Sequence, residues 1–129
     1  MSNLEGKGRV EYNLQEDILY IYMDRFLSKG EHVYSDSVDL DGFIIDIDKD
    51  NHVIGLEILS ASENLNVSKM ALKFIKYGNL KTKIEKNRIL ISLSLQSLVR
   101  NKLQTLTLNT ERLNQLKLKE TVLECQIPA

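Results

Sequence analysis

The densest group of residues that could do chemistry is a run of aspartates between residues 36 and 50. Within this run and just beyond it, four acids occupy positions 1, 3, 5 and 12 of a calcium-loop pattern: Asp46, Asp48, Asp50 and Glu57. Carboxylate oxygens at this spacing are the ligands that Ca²⁺ requires. Two features oppose the match. The flanking segments are typical of strands rather than helices, and Asn51 stands where glycine normally permits the sharp turn.

The competing interpretation of the same acids is a hairpin with a polar tip. In a strand Asp46 and Asp48 share a face, whereas Glu57, which we expect to pair near Phe43, lies on the other face. His52 is expected to form a surface hydrogen bond with Asp48. The two histidines, His32 and His52, have no partner at zinc-ligand spacing.

A second group of candidate residues is basic and lies in the C-terminal half. It could form a phosphate-contacting surface of a nucleic-acid-binding protein, through Lys69, Lys73, Lys76, Lys81, Lys83 and Arg88. Tyr77 is the one tyrosine among these residues, and the other tyrosines lie in the acidic half, where phosphate is repelled. The alternative is a lysine-rich face that water solvates.

Signatures of catalysis are missing from the sequence. It contains no Gly-x-Ser-x-Gly elbow, no Gly-rich phosphate loop and no metalloprotease helix. Cys125 alternates with Leu123 and Ile127, which predicts a buried, inert thiol rather than a nucleophile. We therefore expect a protein that is not an enzyme and has no cofactor.

The elements that must position these residues are mostly strands. Alternating apolar residues predict a hairpin over residues 10–23, and a turn at Asp41-Gly42 between two further strands. Gly55 indicates that another element packs closely there. The remaining predictions are a loop at 24–32, strands at 33–40, 43–48, 52–59, 80–85, 89–96, about 105–108 and 121–127, and a short helical segment from Asn109 or Thr110 to Leu113.

One helix is predicted, between an N-cap at Ser68 and a C-terminal glycine at Gly78. Its apolar face has the spacing of an amphipathic helix and comprises Val67, Met70, Ala71, Phe74 and Ile75. The predicted fold class is therefore α+β: a mainly antiparallel sheet of about eight strands, with one well-formed amphipathic helix packed on it.

Charge divides the chain into two halves of opposite sign. Residues 1–66 carry five basic and fourteen acidic side chains, a net charge of −9, whereas residues 67–129 carry twelve basic and four acidic ones, a net charge of +8. A chain of 129 residues is expected to form a single domain, with an acidic β-rich half at 10–66 and a helix plus basic β-rich half at 67–129. No apolar run is long enough to span a membrane, and residues 1–10 have no apolar stretch that would predict a signal peptide. The lone cysteine fits a reducing cytoplasm, so we expect a cytoplasmic protein.

Part of the chain resembles a known family. The resemblance is carried by Val-Glu-Tyr at residues 10–12, Glu-Asp-Ile-Leu-Tyr-Ile at 16–21, Asp-Gly-Phe-Ile-Ile-Asp-Ile-Asp at 41–48 and Val-Ile-Gly-Leu-Glu-Ile-Leu-Ser-Ala-Ser at 53–62. These motifs resemble domain-of-unknown-function family 2283, over about residues 10–65, with a C-terminal extension. The resemblance implies no catalytic residues. Some members of the family look like partners of small toxin-like proteins, which implies an antitoxin-like binding role.

Together these features predict a non-enzymatic, cytoplasmic interaction module that binds a protein partner or itself, as a homo-oligomer and most simply a dimer. The opposed charges of the halves and the exposed edges of a sheet motivate this prediction. The alternative is nucleic-acid binding through the basic half, and the third is a calcium-binding acidic hairpin. No membrane partner is expected.

Overall fold

The computed structural model describes residues 2–23 and 34–128, and most of these residues lie in β-strands. Alternating side chains create the strands, because every second residue of most of them is apolar and buried. Along this part of the chain the elements are β1 (Ser2–Asn13), β2 (Ile18–Met23), β3 (Tyr34–Asp39), β4 (Phe43–Asp48), β5 (Val53–Ile58), α1 (Ala61–Asn64), α2 (Lys69–Lys73), β6 (Ile75–Ile84), β7 (Arg88–Val99), β8 (Lys102–Leu113) and β9 (Thr121–Ile127).

The strands form one sheet in the order β3-β4-β5-β2-β1-β9-β6-β7-β8. All neighbouring strands are antiparallel except β1 and β9, the first and last strands, which are parallel. The order keeps the acidic half (β1–β5) and the basic half (β6–β9) contiguous on either side of the β1–β9 junction. Strands β3 and β8 form the two edges.

Strand β1 changes partner part-way along its length. Residues 2–7 pair with β9, and residues 8–13 pair with β2. The change falls at Gly8, where a Cβ atom would lie only 1.8 Å from the Sγ atom of Cys125 and 3.0 Å from the carbonyl oxygen of Tyr22. A side chain at residue 8 would therefore overlap the Cys125 thiol, which occupies that space.

The sheet curls, and one face encloses a single apolar core. Buried residues from both halves belong to the same cluster, among them Ile21, Leu56, Leu80 and Ile91. The edge regions approach each other at Arg112, whose Nε atom donates a hydrogen bond of 3.0 Å to the Leu40 carbonyl oxygen. Its guanidinium also lies 5.1 Å from the centre of the buried Phe43 ring, which makes a cation–π contact.

The predicted amphipathic helix, and with it the α+β fold class, is wrong. Helix α2 has five residues, Lys69–Lys73, and the chain from Ile75 onward is strand β6. Gly78 does not end a helix: it pairs with Leu95 and Ile127, and a Cβ there would lie 2.3 Å from the Ser94 carbonyl oxygen. Pairing with two strands overrides the local helical pattern. The predicted N-cap is confirmed, since Ser68 Oγ accepts a hydrogen bond of 3.2 Å from the Ala71 backbone.

Most predicted strands are confirmed, but β1 begins at Ser2 rather than near Val10, and β6, β7 and β8 are longer than predicted. The Asp41-Gly42 turn is confirmed by positive φ angles of 62° and 96°, and β4 and β9 have the predicted bounds. The helical segment predicted from Asn109 to Leu113 is wrong, because β8 continues to Leu113. The sheet has nine strands within the described ranges, rather than eight. The predicted loop at 24–32 and residue 33 lie outside the described residues. Among the helices that the structure describes, none is long and apolar enough to cross a bilayer.

The close fit at Gly8 predicts a coupled pair of substitutions. Gly8→Ala should lower the free energy of unfolding by about 2 kcal/mol, because the new methyl group overlaps the Cys125 thiol. Adding Cys125→Ala removes the overlapping sulfur, so the double variant should lose less than the sum of the two single losses, by about 1 kcal/mol. Urea denaturation of the four proteins measures this coupling. Additive losses would contradict the packing argument.

Candidate functional site

Two of the predicted site residues meet on the outer face of the acidic half. Asp46 lies on β4 opposite Gly55, and Glu57 lies on β5 opposite Ile44, so both carboxyl groups project from the same face. The prediction that Glu57 lies on the other face is wrong. Phe43 pairs with Ile58 instead of with Glu57, and a difference of one residue in register reverses the face of a side chain.

The Asp46 carboxyl group lies close enough to Glu57 to affect its ionisation. Partial burial, together with the hydrogen bond and negative charge of Asp46, raises the pKa of Glu57 to about 7. Ser37 Oγ donates a hydrogen bond of 2.7 Å to the Asp46 carboxylate. Tyr20, opposite Glu57 on β2, has a raised pKa because of burial and of the acids around it.

The other predicted ligands lie in the β4–β5 turn. Asp48 is 4% exposed, and its Oδ1 atom accepts backbone hydrogen bonds of 2.9 Å from Asp50 and from His52. Its Oδ2 atom lies 3.4 Å from His52 Nδ1, so the predicted contact between these residues is confirmed. Asn51 adopts the left-handed conformation expected of it, with φ of 63°. These contacts show that the Asp48 carboxylate organises the turn.

The structure therefore divides the four predicted calcium ligands. Asp48, Asp50 and His52 bring ligand atoms within 4.8 Å of one another, and neither Asp46 nor Glu57 belongs to that group. The calcium loop has its ligands around one centre, whereas here the β-bulge between Asp46 and Ile47 separates two pairs of acids. Calcium binding stays a prediction, with the turn as its remaining location.

Sequence reasoning missed a hydrogen-bonded cluster that joins the β1–β2 turn to α1. The Asp17 carboxylate accepts hydrogen bonds from Tyr12 Oη (2.6 Å), Ser62 Oγ (2.7 Å) and the Ser62 backbone (3.1 Å). The Ala61 backbone also donates to the Asp17 carbonyl oxygen, at 2.9 Å. Burial by itself raises the pKa of Asp17, but the hydrogen bonds from Ser62 and Tyr12 outweigh it and lower the pKa overall. Ser62 is 45 positions from Asp17, so no local pattern could indicate the contact.

The six basic residues predicted for nucleic-acid binding do not form one uncompensated surface. Lys81 lies 3.4 Å from Glu124, Lys83 lies 3.4 Å from Glu85, and Arg88 contacts both Glu85 and Glu111. The remaining three are exposed at the end of the basic half, with Lys69 and Lys73 in α2 and Lys76 in β6. Acidic partners therefore compensate at least half of the predicted phosphate-binding set, since Lys69 also attracts the Asp17 carboxylate.

Cys125 is buried, as predicted. Its side chain is 1% exposed in the core between β1 and β6, and burial raises its pKa to about 11. A thiol with a raised pKa and no access to solvent is a poor nucleophile.

The residues of both clusters lie within the range that matches a known family. The family described as "Protein of unknown function (DUF2283)" matches residues 9–62, a range that contains Tyr12, Asp17, Asp46, Glu57 and Ser62. The chain belongs to this family. The resemblance recognised in the sequence is thus confirmed, and β6–β9 lie beyond the matched region.

Two relatives match over most of the chain. A protein of Methanosarcina mazei named "Putative hypoxanthine phosphoribosyltransferase" is 30% identical over 110 residues, which are 85% of each chain. An uncharacterized protein of Methanocaldococcus jannaschii is 35% identical over 98 residues, which are 74% of this chain and 78% of the relative. No solved structure matches the chain at a significant level.

The Asp17 cluster predicts a loss of stability that depends on pH. Asp17→Asn keeps a residue that tolerates the positive φ of 56° but replaces charge-assisted hydrogen bonds by neutral ones. The free energy of unfolding at neutral pH should fall by about 1 kcal/mol. Because folding lowers the pKa of Asp17, its contribution exists above the unfolded pKa and is lost as the pH falls through the folded pKa. The difference between the two proteins should therefore shrink in acid.

Urea denaturation at neutral and acidic pH measures this difference. Glu120→Gln, which removes the same charge from an exposed position, is the matched control. An Asp17→Asn protein as stable as the parent at neutral pH would contradict the structural role of the cluster.

The acid pair predicts the opposite dependence on pH. Folding raises the pKa of Glu57 from 4.5 to about 7, so the folded state binds the proton more tightly and stability falls as the pH rises between these values. Glu57→Gln removes the repulsion with Asp46. The variant should match the parent at pH 4 and exceed it at pH 8 by about 1 kcal/mol, a small gain because solvent screens the half-exposed pair.

Thermal or urea unfolding across this range of pH tests the acid pair, with Glu11→Gln as a control for removal of an exposed acid. A Glu57→Gln protein that is equally destabilised at pH 4 and pH 8 would contradict the raised pKa of Glu57.

Proposed function

We propose that this protein is a non-enzymatic interaction module of the cytoplasm that associates with a second copy of itself. The observation that carries the proposal is the order of strands in the sheet. The acidic half ends at the open edge β3, and the basic half ends at the open edge β8. An open edge presents unpaired backbone donors and acceptors, which a further strand can satisfy.

Electrostatics supports association between copies as well. The net charges of −9 and +8 belong to contiguous parts of the sheet, so the molecule has an acidic end and a basic end. Opposite charges on two proteins accelerate their encounter. Open sheet edges and oppositely charged ends both promote contacts between proteins, and neither requires a catalytic side chain.

Catalysis has less support. The name of the Methanosarcina mazei relative suggests a phosphoribosyltransferase, but the present sequence has no Gly-rich loop to bind phosphate. The carboxyl pair Asp46 and Glu57 lies on the outer face of the sheet, and the Asp48 carboxylate is occupied by backbone hydrogen bonds. Nucleic-acid binding is also less favoured, because Lys81, Lys83 and Arg88 have acidic partners.

Native mass spectrometry at low salt tests the proposal directly. We expect the mass of a dimer at micromolar protein concentration, with the dimer fraction increasing as the concentration rises. A protein that stays monomeric at every concentration and ionic strength would contradict self-association. A bound metal ion or nucleic acid would appear as added mass and would favour one of the alternative functions.

A further inference from the structure

Strand β8 differs from an ordinary protected edge. It runs for twelve residues and pairs with β7 along its whole length in regular register. Among the described strands, none pairs with its other side. One side of β8 therefore exposes backbone N–H and C=O groups that a further strand could bind.

The opposite edge shows how such a strand is normally protected. Strand β3 has six residues, its register with β4 is interrupted, and it exposes Asp36 and Asp39. Short length, irregular register and charge all discourage pairing. Strand β8 lacks these features over residues 103–110, where eight consecutive residues carry no charge.

The residues of β7 indicate what the open side of β8 can accept. Leu106, Thr107 and Leu108 of β8 lie opposite Leu95, Ser94 and Leu93 of β7, respectively. Strand β8 thus already pairs a Leu-hydroxyl-Leu triplet with another triplet of the same kind. A second β8 offers the same triplet again, since residues 106–108 are Leu-Thr-Leu.

Self-pairing has a register that preserves both faces of the sheet. If Thr107 lies opposite Thr107 of a second copy, then Leu106 lies opposite Leu108 of that copy, and the reverse pair forms by symmetry. In this arrangement each outward-facing residue of one β8 lies opposite an outward-facing residue of the other. The inner face of one sheet therefore continues into the inner face of the second.

The same register limits the paired segment. No two like charges oppose each other from residue 103 to residue 111, but one position further Lys102 would face Arg112 of the second copy. Arg112 is also engaged with Leu40 and Phe43 of its own chain. The pairing therefore ends before Arg112 and spans about nine residues, or roughly 30 Å of strand.

We infer that two copies associate through antiparallel pairing of β8 with β8, about a two-fold axis at Thr107. This inference rests on the proposed function and specifies the surface that performs it. It places the basic halves at the centre of the dimer and the acidic halves at its ends. Association then depends on backbone hydrogen bonds and leucine contacts rather than on attraction between opposite charges.

A lysine at the two-fold axis tests the inference. Thr107→Lys would put two ammonium groups directly opposite each other, so we expect the dimer dissociation constant to rise at least tenfold at low salt. Gln126→Lys is the matched control, since it adds the same charge to an exposed position on β9, an inner strand of the sheet. Sedimentation or native mass spectrometry measures the dimer fraction, and circular dichroism with urea denaturation verifies that both variants fold.

A cysteine at the same position provides a second test, which measures the formation of a covalent dimer rather than a loss of association. Residues directly opposite in antiparallel strands are close enough for a disulfide bond, so Thr107→Cys should give a covalent dimer under mild oxidation. Wild-type protein and Gln126→Cys should not, because Cys125 is buried and residue 126 lies away from the edge.

The outcomes separate this inference from the proposed function. One outcome would overturn β8 pairing but retain self-association through the charged halves. In that outcome added salt dissociates the wild-type dimer, the Thr107→Lys variant still dimerises, and the Thr107→Cys variant forms no covalent dimer. A wild-type protein that is monomeric at all concentrations would overturn both. The outcome that supports β8 pairing is a wild-type dimer that persists in salt, together with a Thr107→Lys variant that is monomeric and a Thr107→Cys variant that forms a covalent dimer.

Discussion

The structure depends on the position of β1 between β2 and β9. This strand hydrogen-bonds to the acidic half through residues 8–13 and to the basic half through residues 2–7, so it joins two groups of strands into one sheet. The parallel β1–β9 pair unites the first and last strands of the chain. Because the junction has no room for a side chain beside Cys125, Gly8 is the residue that permits it.

The β1–β9 pair joins the two halves in the middle of the sheet, so β3 and β8 are left at its edges. Among the described strands, β3 and β8 each lack a partner on one side, and Arg112 of β8 contacts Leu40 and Phe43 of the acidic half. The core is shared between the halves, but the edges are not paired with each other. The same topology that buries the apolar residues therefore leaves one side of β8 without a partner among the described strands.

The polar residues in the family-matched region serve two different purposes. Asp17, with Tyr12 and Ser62, fixes the β1–β2 turn to the start of α1, and Asp48 organises the β4–β5 turn. Asp46 and Glu57 are different, because they lie on the same outer face, where partial burial and the neighbouring Asp46 raise the pKa of Glu57. Several of the aspartates that suggest a metal site in the sequence therefore have a structural role. Asp48, for example, accepts hydrogen bonds from the backbone N–H groups of its own turn.

Local patterns in the sequence were sufficient for the strands with regular alternation and for the turns with residues that favour positive φ. Phe43–Asp48, Thr121–Ile127 and the turn at Asp41-Gly42 are predictable because each depends on neighbours within a few positions. The family was also recognisable from the motifs in residues 9–62. Burial of Cys125 followed from its alternation with Leu123 and Ile127.

Tertiary structure alone decided the features that depend on distant partners. Residues 75–78 carry a helical pattern, but pairing with β7 and β9 makes them a strand, and Gly78 serves the close approach of Ser94. The face of Glu57 depended on a one-residue difference in register, and the Asp17 cluster on a residue 45 positions away. The sequence by itself determined the regularly alternating strands, the family and the separation of charge, because these are local or compositional. Long-range pairing between strands decided which strands became edges. The hydrogen bonds and contacts that stabilise this pairing form between distant segments, so no single segment predicts them.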